Sequence, residues 1–308
     1  MAKQSVKPVF DHSAFPNVGR MPQWIRQSLG NNNTFKDTHH TIHDNILHTV
    51  CEEAKCPNIG ECWSHGTATF MILGDTCTRA CGFCAVKTGK PDWFDNDEAQ
   101  RVADASIKMG LDYVVVTSVN RDDMADGGAQ VFADTITALR QQKSDMGIEL
   151  LTPDFHKCQQ LAIDIIMTAL NNVRHENCAP QMVWGHNVET VPELYKTVRK
   201  GSSYQRSLDL LERAAAIEGV HAKSAIMLGI GEEHAQVIDV LKDLRKIGVQ
   251  RLAIGQYLRP TRYHLPVKRY LSPGEFDNYE KQALEMGFEW VKAGPMVRSS
   301  YHAEEIQK

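Results

Sequence analysis

The chain has 308 residues, of which 42% are hydrophobic and 23% charged, the balance of an ordinary globular protein. Its formal net charge is -4, which argues against nucleic-acid binding through bulk positive charge. No stretch approaches the roughly 20 apolar residues of a membrane span, and the opening MAKQSVKPVF lacks the apolar core of a secretory signal. We therefore predict a cytoplasmic protein that neither spans a membrane nor binds nucleic acid.

Residues 1–48 are polar and read as an extension rather than as a domain with its own core. Beyond residue 67, short apolar runs alternate with amphipathic segments. Predicted strands cover residues 68–73, 113–117, 148–151, 181–184, 222–229 and 251–254. Predicted helices cover residues 99–109, 130–142, 161–170, 203–217, 235–247 and 273–286. Such repeated strand–helix units favour a parallel sheet covered by helices. They are too few for a full eight-stranded barrel, so the pattern predicts an α/β fold, either a partial barrel or a doubly wound sheet.

Six of the 8 cysteines fall between residues 51 and 84, in two sets of three. So dense a thiol cluster in a long chain indicates metal ligation rather than a disulfide framework. The second set, Cys77, Cys81 and Cys84, has the spacing C-x3-C-x2-C and follows the first predicted strand. Three thiolates can hold three irons of a cubane [4Fe–4S] cluster and leave one iron open. A structural zinc site, which usually takes four ligands, fits this set less well.

An aromatic residue, Phe83, precedes the last of these cysteines. The whole motif resembles the signature of the radical S-adenosylmethionine (SAM) superfamily. That resemblance implies that the open iron binds SAM and that SAM cleavage yields a 5′-deoxyadenosyl radical, which abstracts hydrogen from a substrate. It also implies a partial (β/α)6 TIM-like barrel, here with an N-terminal cluster-binding extension and a short C-terminal extension.

The first set, Cys51, Cys56 and Cys62, has the spacing C-x4-C-x5-C. By spacing alone it is open to two other interpretations, a structural metal knuckle or reduced buried thiols. Upstream of C-x3-C-x2-C, it resembles the lipoyl synthase family. The resemblance implies a second [4Fe–4S] cluster, which donates its sulfide to the substrate and takes a serine as its fourth ligand. The family's R-S-S-Y motif corresponds to residues 298–301, which makes Ser300 that ligand.

Further stretches between about residues 22 and 303 match the family, and the resemblance implies SAM contacts in three of them. The residues concerned are Asn120, Gly127 and Gly128, then Asn187 and Glu189 of an H-N-x-E-T segment, then Gly229 and Gly231. Taken without the resemblance, each of these positions is equally open to a structural role, since glycine serves any tight turn. Gln256 and Arg259 are further candidates for polar contacts in the cavity.

The motifs divide the chain into an extension with the first triplet (1–66), a radical SAM barrel (67–286) and a C-terminal segment (287–308). The resemblance implies an octanoyl-lysine substrate on a lipoyl carrier domain, such as a 2-oxoacid dehydrogenase E2 subunit or the glycine cleavage H protein, and an electron donor. Because lipoyl domains are often acidic, we expect a basic surface at Arg262, Lys268 and Arg269 to receive them.

Residues 155–186 depart from the family pattern, which leaves the local fold there open. Cys158 and Cys178 lie in this region and read as ordinary thiols. Four histidines of the N-terminal extension are predicted to lie on a solvent-exposed face: His39, His40, His43 and His48. Two alternatives to the family reading are a biotin-synthase-like enzyme and a zinc-stabilised binding module without catalysis.

Overall fold

The computed structural model describes residues 21–25, 32–91, 95–173, 182–301 and 303. These residues form two compact units. The first unit contains the described residues of 32–78, 86–185 and 303, and the second contains 21–25, 79–85 and 186–301.

The first unit begins with short helices on either side of a two-residue strand. These elements are α1 (Asn33–Asp44), β1 (His48–Thr49), α2 (Val50–Glu53) and α3 (Ile59–Ser64). The side chain of Asn32 accepts the N–H of Phe35 at 2.8 Å and so caps the start of α1. On its inner face α1 buries Ile42 completely.

Alternating strands and helices make up the rest of the first unit. They are β2 (Thr69–Ile72), β3 (Thr76–Cys77), β4 (Lys87–Thr88), α4 (Glu98–Lys108), β5 (Tyr113–Ser118), α5 (Ala129–Gln142), β6 (Gly147–Leu151), α6 (Gln159–Asn172) and β7 (Met182–Gly185). The strand order is β1-β2-β5-β6-β7, in which only β1 runs antiparallel to its neighbour. Strands β3 and β4 form a separate parallel pair.

The apolar runs of the first unit form strands because they are buried. All four residues of β2 and of β7 are buried, as a parallel sheet covered on both faces requires. At the end of α4, Gly110 adopts the left-handed backbone with φ 67° and donates its N–H to the carbonyl of Ile107. Glycine adopts that conformation without the steric cost that other residues meet, so α4 stops there.

The second unit repeats the same alternation. Its elements are α7 (Tyr195–Val198), α8 (Tyr204–Ala215), β8 (Val220–Leu228), α9 (His234–Lys246), β9 (Arg251–Gln256), α10 (Pro273–Glu285) and β10 (Trp290–Gly294). Strand β9 pairs in parallel with β8 on one side and with β10 on the other. Side chains from α9, β9 and α10, such as Leu241, Leu252 and Phe276, meet in one apolar core with no exposed surface.

Each of the six predicted strands and six predicted helices corresponds to an observed element, with ends shifted by at most two residues. The α/β class is therefore confirmed. The prediction that the strand at 251–254 is the last is wrong, because β10 follows it. Of the five residues of β10 only Val291 is buried, so no apolar run marks it.

The N-terminal extension also contains a helix, α1, that the sequence did not single out. The division of the chain at residues 66 and 286 stays a prediction. Of the helices that the structure describes, none is long and apolar enough to cross a membrane.

Candidate functional site

The first cysteine triplet lies on a helix–turn–helix segment of the first unit. Cys51 belongs to α2 and Cys62 to α3, and Cys56 lies in the turn between them. Lys55 has the left-handed φ of 53°, and the N–H of Cys56 donates to the carbonyl of Cys51 at 2.9 Å. The N–H of Cys62 donates to the carbonyl of Asn58, also at 2.9 Å. These bonds fix the backbone at all three cysteines.

Cys51 is buried, and its surroundings disfavour a thiolate that has no compensating positive charge. Burial raises the pKa of the free thiol to about 11, and the negative charge of Cys56 acts in the same direction. A backbone hydrogen bond at Thr69 and the Trp63 side chain oppose this and favour the thiolate. None of the cysteines that the structure describes forms a disulfide. A buried sulfur with hydrogen-bond donors and a nearby thiol suits a cation that compensates the thiolate charge.

Cys77 ends β3 and also belongs to the first unit. Its sulfur accepts a hydrogen bond from the backbone N–H of Asn120 at 3.3 Å. The next residue, Thr78, donates its backbone N–H to the carbonyl of Asn120 at 3.0 Å. The turn after β5 is thereby held against the first cysteine of C-x3-C-x2-C, which is where the sequence predicted a SAM contact at Asn120.

Cys81 and Cys84 belong to the second unit, on the segment 79–85. Gly82, between them, donates its N–H to Val198 and accepts the N–H of Leu265, at 2.9 and 3.0 Å. A Cβ atom at Gly82 would lie 2.8 Å from the side chain of Leu265, so only glycine fits between these two segments. The ring of His264 lies 3.0 Å from the carbonyl of Cys84. No motif in the sequence signals that contact.

Arg199 is a buried cation that the sequence analysis missed. Its guanidinium donates to the carbonyl of Asn187 at 2.8 Å and to the hydroxyls of Tyr195 and Ser207, both at 3.1 Å. Burial opposes its charge, but interactions with the ionisable groups of Tyr195, Glu189 and Cys81 outweigh burial and raise its pKa. Arg199 therefore supplies positive potential near one cysteine of the second triplet. In the sequence Arg199 is only a basic residue after α7, and no motif marks it.

Glu189 has an unusual backbone and a half-buried carboxyl. Its φ is 66°, and the conformation is held by β8, since its N–H donates to Ala225 at 3.0 Å and its carbonyl accepts from Met227 at 2.9 Å. Such strain in a non-glycine residue is concentrated at functional sites. Burial raises the pKa of the carboxyl, while Arg199, a 3.0 Å hydrogen bond from the amide of Asn187, and Arg298 favour its ionised form.

Of the two predicted glycines before α5, Gly128 packs closely against the residue after β2 and Gly127 against a residue after β6. A Cβ at Gly128 would lie 2.3 Å from the side chain of Leu73, and one at Gly127 would lie 3.0 Å from Phe155. Asp126 accepts the backbone N–H groups of Gly128 and Gln130, at 3.0 and 2.9 Å. The backbone N–H groups of Gly128 and Gln130 are thus hydrogen-bonded within the protein. The two glycines allow the backbone to approach Leu73 and Phe155 closely.

The turn after β8 is likewise occupied by a side chain of the protein. The carboxylate of Glu232 accepts the N–H groups of Gly229, Ile230 and Gly231, at 2.5, 2.9 and 3.0 Å. Gly229 has φ 91°, and a Cβ there would lie 2.2 Å from both the carbonyl oxygen of Arg269 and the amide nitrogen of Gln256. Because its N–H groups already donate to Glu232, this turn can contribute to a binding site through its shape rather than through these donors.

The Arg-Ser-Ser-Tyr segment packs on β9 in the second unit. A Cβ at Gly255 would lie 2.1 Å from the carbonyl oxygen of Val297. The N–H of Tyr301 donates to the carbonyl of Arg298 at 3.0 Å, which closes a turn around Ser300. Ser300 is half-buried, and the charge of Arg298 acts on Glu189. The segment therefore lies near the H-N-x-E-T segment.

Two other predicted residues have surroundings that indicate a structural role. The amide of Gln256 donates to the carbonyls of Leu228, Tyr257 and Arg269 and accepts the N–H of Leu271, so it is committed within the protein. The thiol of Cys158 contacts the carbonyl of Phe155 at 3.6 Å, which supports its reading as an ordinary thiol. Cys178 lies outside the described residues.

Residues 71–244 match the family profile described as "Radical SAM superfamily". Among curated proteins, the lipoyl synthase of Rubrobacter xylanophilus is 50% identical over 285 residues, covering 92% of this chain and 85% of the relative. The chain belongs to the lipoyl synthase family. Two further lipoyl synthases, from Methylobacillus flagellatus and Salmonella paratyphi B, are 49% and 48% identical, each over 92% of this chain and over 85% and 86% of their own.

Two solved structures show the same fold at low identity. Methylornithine synthase (PylB) aligns with a TM-score of 0.51 at 13% identity, over 85% of this chain and 82% of its own. Streptococcus suis SuiB bound to precursor peptide SuiA aligns with a TM-score of 0.54 at 12% identity, over 77% of this chain and 52% of its own. The partial-barrel fold class is thereby confirmed.

Lipoyl synthases are radical SAM enzymes, so this chain uses SAM and a [4Fe–4S] cluster. The prediction of a sulfur-inserting enzyme of this family is confirmed. Neither the biotin-synthase-like alternative nor the zinc-stabilised module is supported by these relatives.

Proposed function

We propose that this lipoyl synthase inserts two sulfur atoms, at C6 and C8, into an octanoyl chain that is amide-linked to a lysine of a carrier domain. The observation that carries the proposal is the first triplet. A second set of three reduced cysteines, one of them buried beside hydrogen-bond donors, stands upstream of the radical SAM motif. Sulfur insertion needs a sulfur source, and a second cluster on these residues would be that source.

Each metal centre has its own ligands in this proposal. Cys77, Cys81 and Cys84 hold the cluster that binds SAM. The second cluster is held by Cys51, Cys56, Cys62 and Ser300. When bound, the first cluster supplies the electron that cleaves SAM, and the second supplies the sulfur atoms. Free thiols are the donors that iron–sulfur clusters use, and a serine oxygen is a harder ligand that is easier to release.

The polar residues around the second triplet position SAM. Asn187 holds the Glu189 carboxylate through its amide, and Arg199 favours the ionised form of that carboxylate. An ionised carboxylate accepts hydrogen bonds from hydroxyl or amino groups, both of which SAM carries. Asn120, Gly127, Gly128, Gly229 and Gly231 shape the turns on which SAM lies. Fixing the reacting groups in one orientation matters because both carbons of one chain must reach one sulfur source.

The partners in this proposal are octanoylated lipoyl domains of 2-oxoacid dehydrogenase E2 subunits, the octanoylated glycine cleavage H protein, and an electron donor. We place the reaction in the cytoplasm, where thiols stay reduced. Arg262 and Lys268 are exposed and would face an acidic carrier. Arg269, also expected there, forms an ion pair with Glu275, which reduces the charge that it offers a partner.

The test uses the protein reconstituted without oxygen, with SAM, a strong reductant and an octanoyl-lysyl peptide. Mass spectrometry follows the peptide and 5′-deoxyadenosine. We expect a peptide that gains two sulfur atoms and loses two hydrogens. Deoxyadenosine formed without any change in the peptide would refute the substrate while keeping the radical SAM reaction.

A further inference from the structure

A group of metal-ligating side chains lies outside both cysteine triplets. His39 and His43 of α1 and Glu52 of α2 offer ligand atoms that all lie within 4.8 Å of one another. The closest pair, Nε2 of His43 and Oε1 of Glu52, is 3.1 Å apart. All three residues belong to the first unit, and His39 and Glu52 are half-buried.

Helix geometry brings the two histidines together. Residues four apart lie on the same face of an α-helix, and the rings of His39 and His43 are 4.2 Å apart between centroids. The edge of the Trp63 ring packs against His39, with 5.9 Å between centroids. This packing restrains the ring of His39 on one side.

The third ligand is oriented by the start of α2. Thr49 caps this helix by accepting the N–H of Glu52 at 3.3 Å, and its hydroxyl lies 3.3 Å from Oε2 of the same residue. The other carboxylate oxygen of Glu52, Oε1, therefore faces His43. A hydrogen bond that fixes one oxygen of a carboxylate while the other faces two imidazoles is the arrangement found around metal ligands.

We propose that His39, His43 and Glu52 bind a divalent transition-metal ion of the zinc class, with water completing the coordination. Two imidazoles and a carboxylate are a ligand set that Zn²⁺ uses. Tetrahedral Zn²⁺ with bonds of about 2.0–2.1 Å places its ligand atoms about 3.4 Å apart, so the 3.1 Å pair already fits. The remaining separations, up to 4.8 Å, close by side-chain rotation.

Such an ion would join α1 to the helix that carries Cys51. Glu52 is the neighbour of Cys51 in the chain, so an ion on Glu52 and α1 restrains the backbone of the first triplet. The neighbouring pair, His48 and Glu53 at 3.4 Å, is separate and keeps its own contact. This ion is distinct from both proposed clusters.

The test measures zinc on the holoenzyme, whose cysteines are occupied by their clusters. Reconstituted protein is dialysed against Zn²⁺, and zinc, iron and sulfide are counted per chain. We expect about one additional zinc, with iron and sulfide unchanged, and an apparent affinity about tenfold or more weaker in the double variant His39→Gln/His43→Gln. His40→Gln, on the same helix but outside the group, is the matched control and should bind zinc like the parent.

X-ray absorption at the zinc edge, made on the unmutated protein, does not depend on how the variants fold. We expect only nitrogen and oxygen neighbours at about 2.0–2.1 Å. Sulfur neighbours at about 2.3 Å, loss of iron on zinc uptake, or equal zinc binding by the double variant would overturn the proposal. None of those results would bear on sulfur insertion.

Discussion

The backbone N–H of Asn120 donates a hydrogen bond to the sulfur of Cys77, with 3.3 Å between the two atoms. Asn120 follows β5 and Cys77 ends β3, so one bond joins two parts of the first unit that are 43 residues apart. Hydrogen bonds to cluster sulfurs raise the reduction potential of the cluster. This bond therefore sets both the position and the electronic properties of one predicted cluster ligand.

Thr78 supports this contact, and we expect Thr78→Val to weaken it. Its hydroxyl lies 3.0 Å from the carbonyl of Asn120 and 3.1 Å from the carboxylate of Asp122, and it accepts the N–H of Asp122 at 3.2 Å. Removing it should cost about 1 kcal/mol and lower Tm by about 2 °C for a chain of this size. Circular dichroism on heating measures the shift. Thr78→Ser keeps the hydroxyl and should match the parent protein; a drop equal to that of Thr78→Val would disprove the role of the hydroxyl.

Mutation should show that the two cysteine triplets have different roles in the reaction. We expect Cys56→Ala to lower the iron content by about four per chain, because one [4Fe–4S] cluster loses a ligand, while SAM cleavage continues. The peptide should then gain no sulfur. Iron analysis, 5′-deoxyadenosine formation and peptide mass are the measurements. Cys158→Ala is the control, since that thiol only contacts carbonyls, and it should keep all three values. If Cys56→Ala kept full iron and sulfur insertion, the assignment of the first triplet would be wrong.

Arg199 and Glu189 should be energetically coupled. Arg199→Met leaves the half-buried Glu189 carboxyl without its strongest compensating charge, which we expect to destabilise the protein by roughly 2 kcal/mol. Adding Glu189→Gln removes the uncompensated acid and should restore part of that loss. Urea unfolding of the four proteins in the double-mutant cycle measures the coupling. Additive effects would show that the two residues do not interact.

Close packing at Gly229 should make that position intolerant of a side chain. In Gly229→Ala the new Cβ meets a backbone oxygen at 2.2 Å in a left-handed conformation, so we expect a loss of about 3 kcal/mol or more. Gly110→Ala is the matched control. Its φ of 67° is also left-handed, but nothing lies within 4 Å of its Cβ, so it should lose only about 1 kcal/mol. Equal losses in urea unfolding would mean that packing at Gly229 contributes nothing.

Charge reversal at the proposed docking surface should change KM for a carrier domain but not for a short peptide. We expect Arg262→Glu/Lys268→Glu to raise KM for an octanoylated carrier domain about fivefold or more, because rim charges steer association. KM for an octanoyl-lysyl peptide should not change. Lys242→Glu, on the exposed side of α9 and paired with Asp239, is the control. An unchanged KM for the carrier would exclude this surface as the docking site.

Buried strands were predictable from their apolar runs, such as Phe70, Met71 and Ile72 of β2. The two cysteine spacings were visible without any structure. By contrast, β10 escaped prediction because Lys292 and Gly294 leave it without a continuous apolar run. Its position comes from its pairing with β9. Helix α1 escaped because its mean composition is polar, and its packing depends on contacts with α3.

Sequence reasoning identified Asn187 and Glu189 but not Arg199, which donates a hydrogen bond to the carbonyl of Asn187 and acts electrostatically on Glu189. Nor did it foresee that Glu232 occupies the N–H groups of the Gly229 turn, because the sequence shows which groups a turn contains but not what already binds them. Contacts of this kind between distant residues are fixed by the tertiary fold, which short motifs do not encode.

The pairing of β9 with β10 has a consequence for the order of events during synthesis. On the ribosome β9 emerges before α10 and β10, so the edge of β9 that β10 covers remains open until about forty further residues have been made. An open strand edge recruits other chains. The strand that covers this edge leads directly into the segment that carries Ser300, so the edge of β9 is covered just before the nascent chain acquires the last predicted cluster ligand.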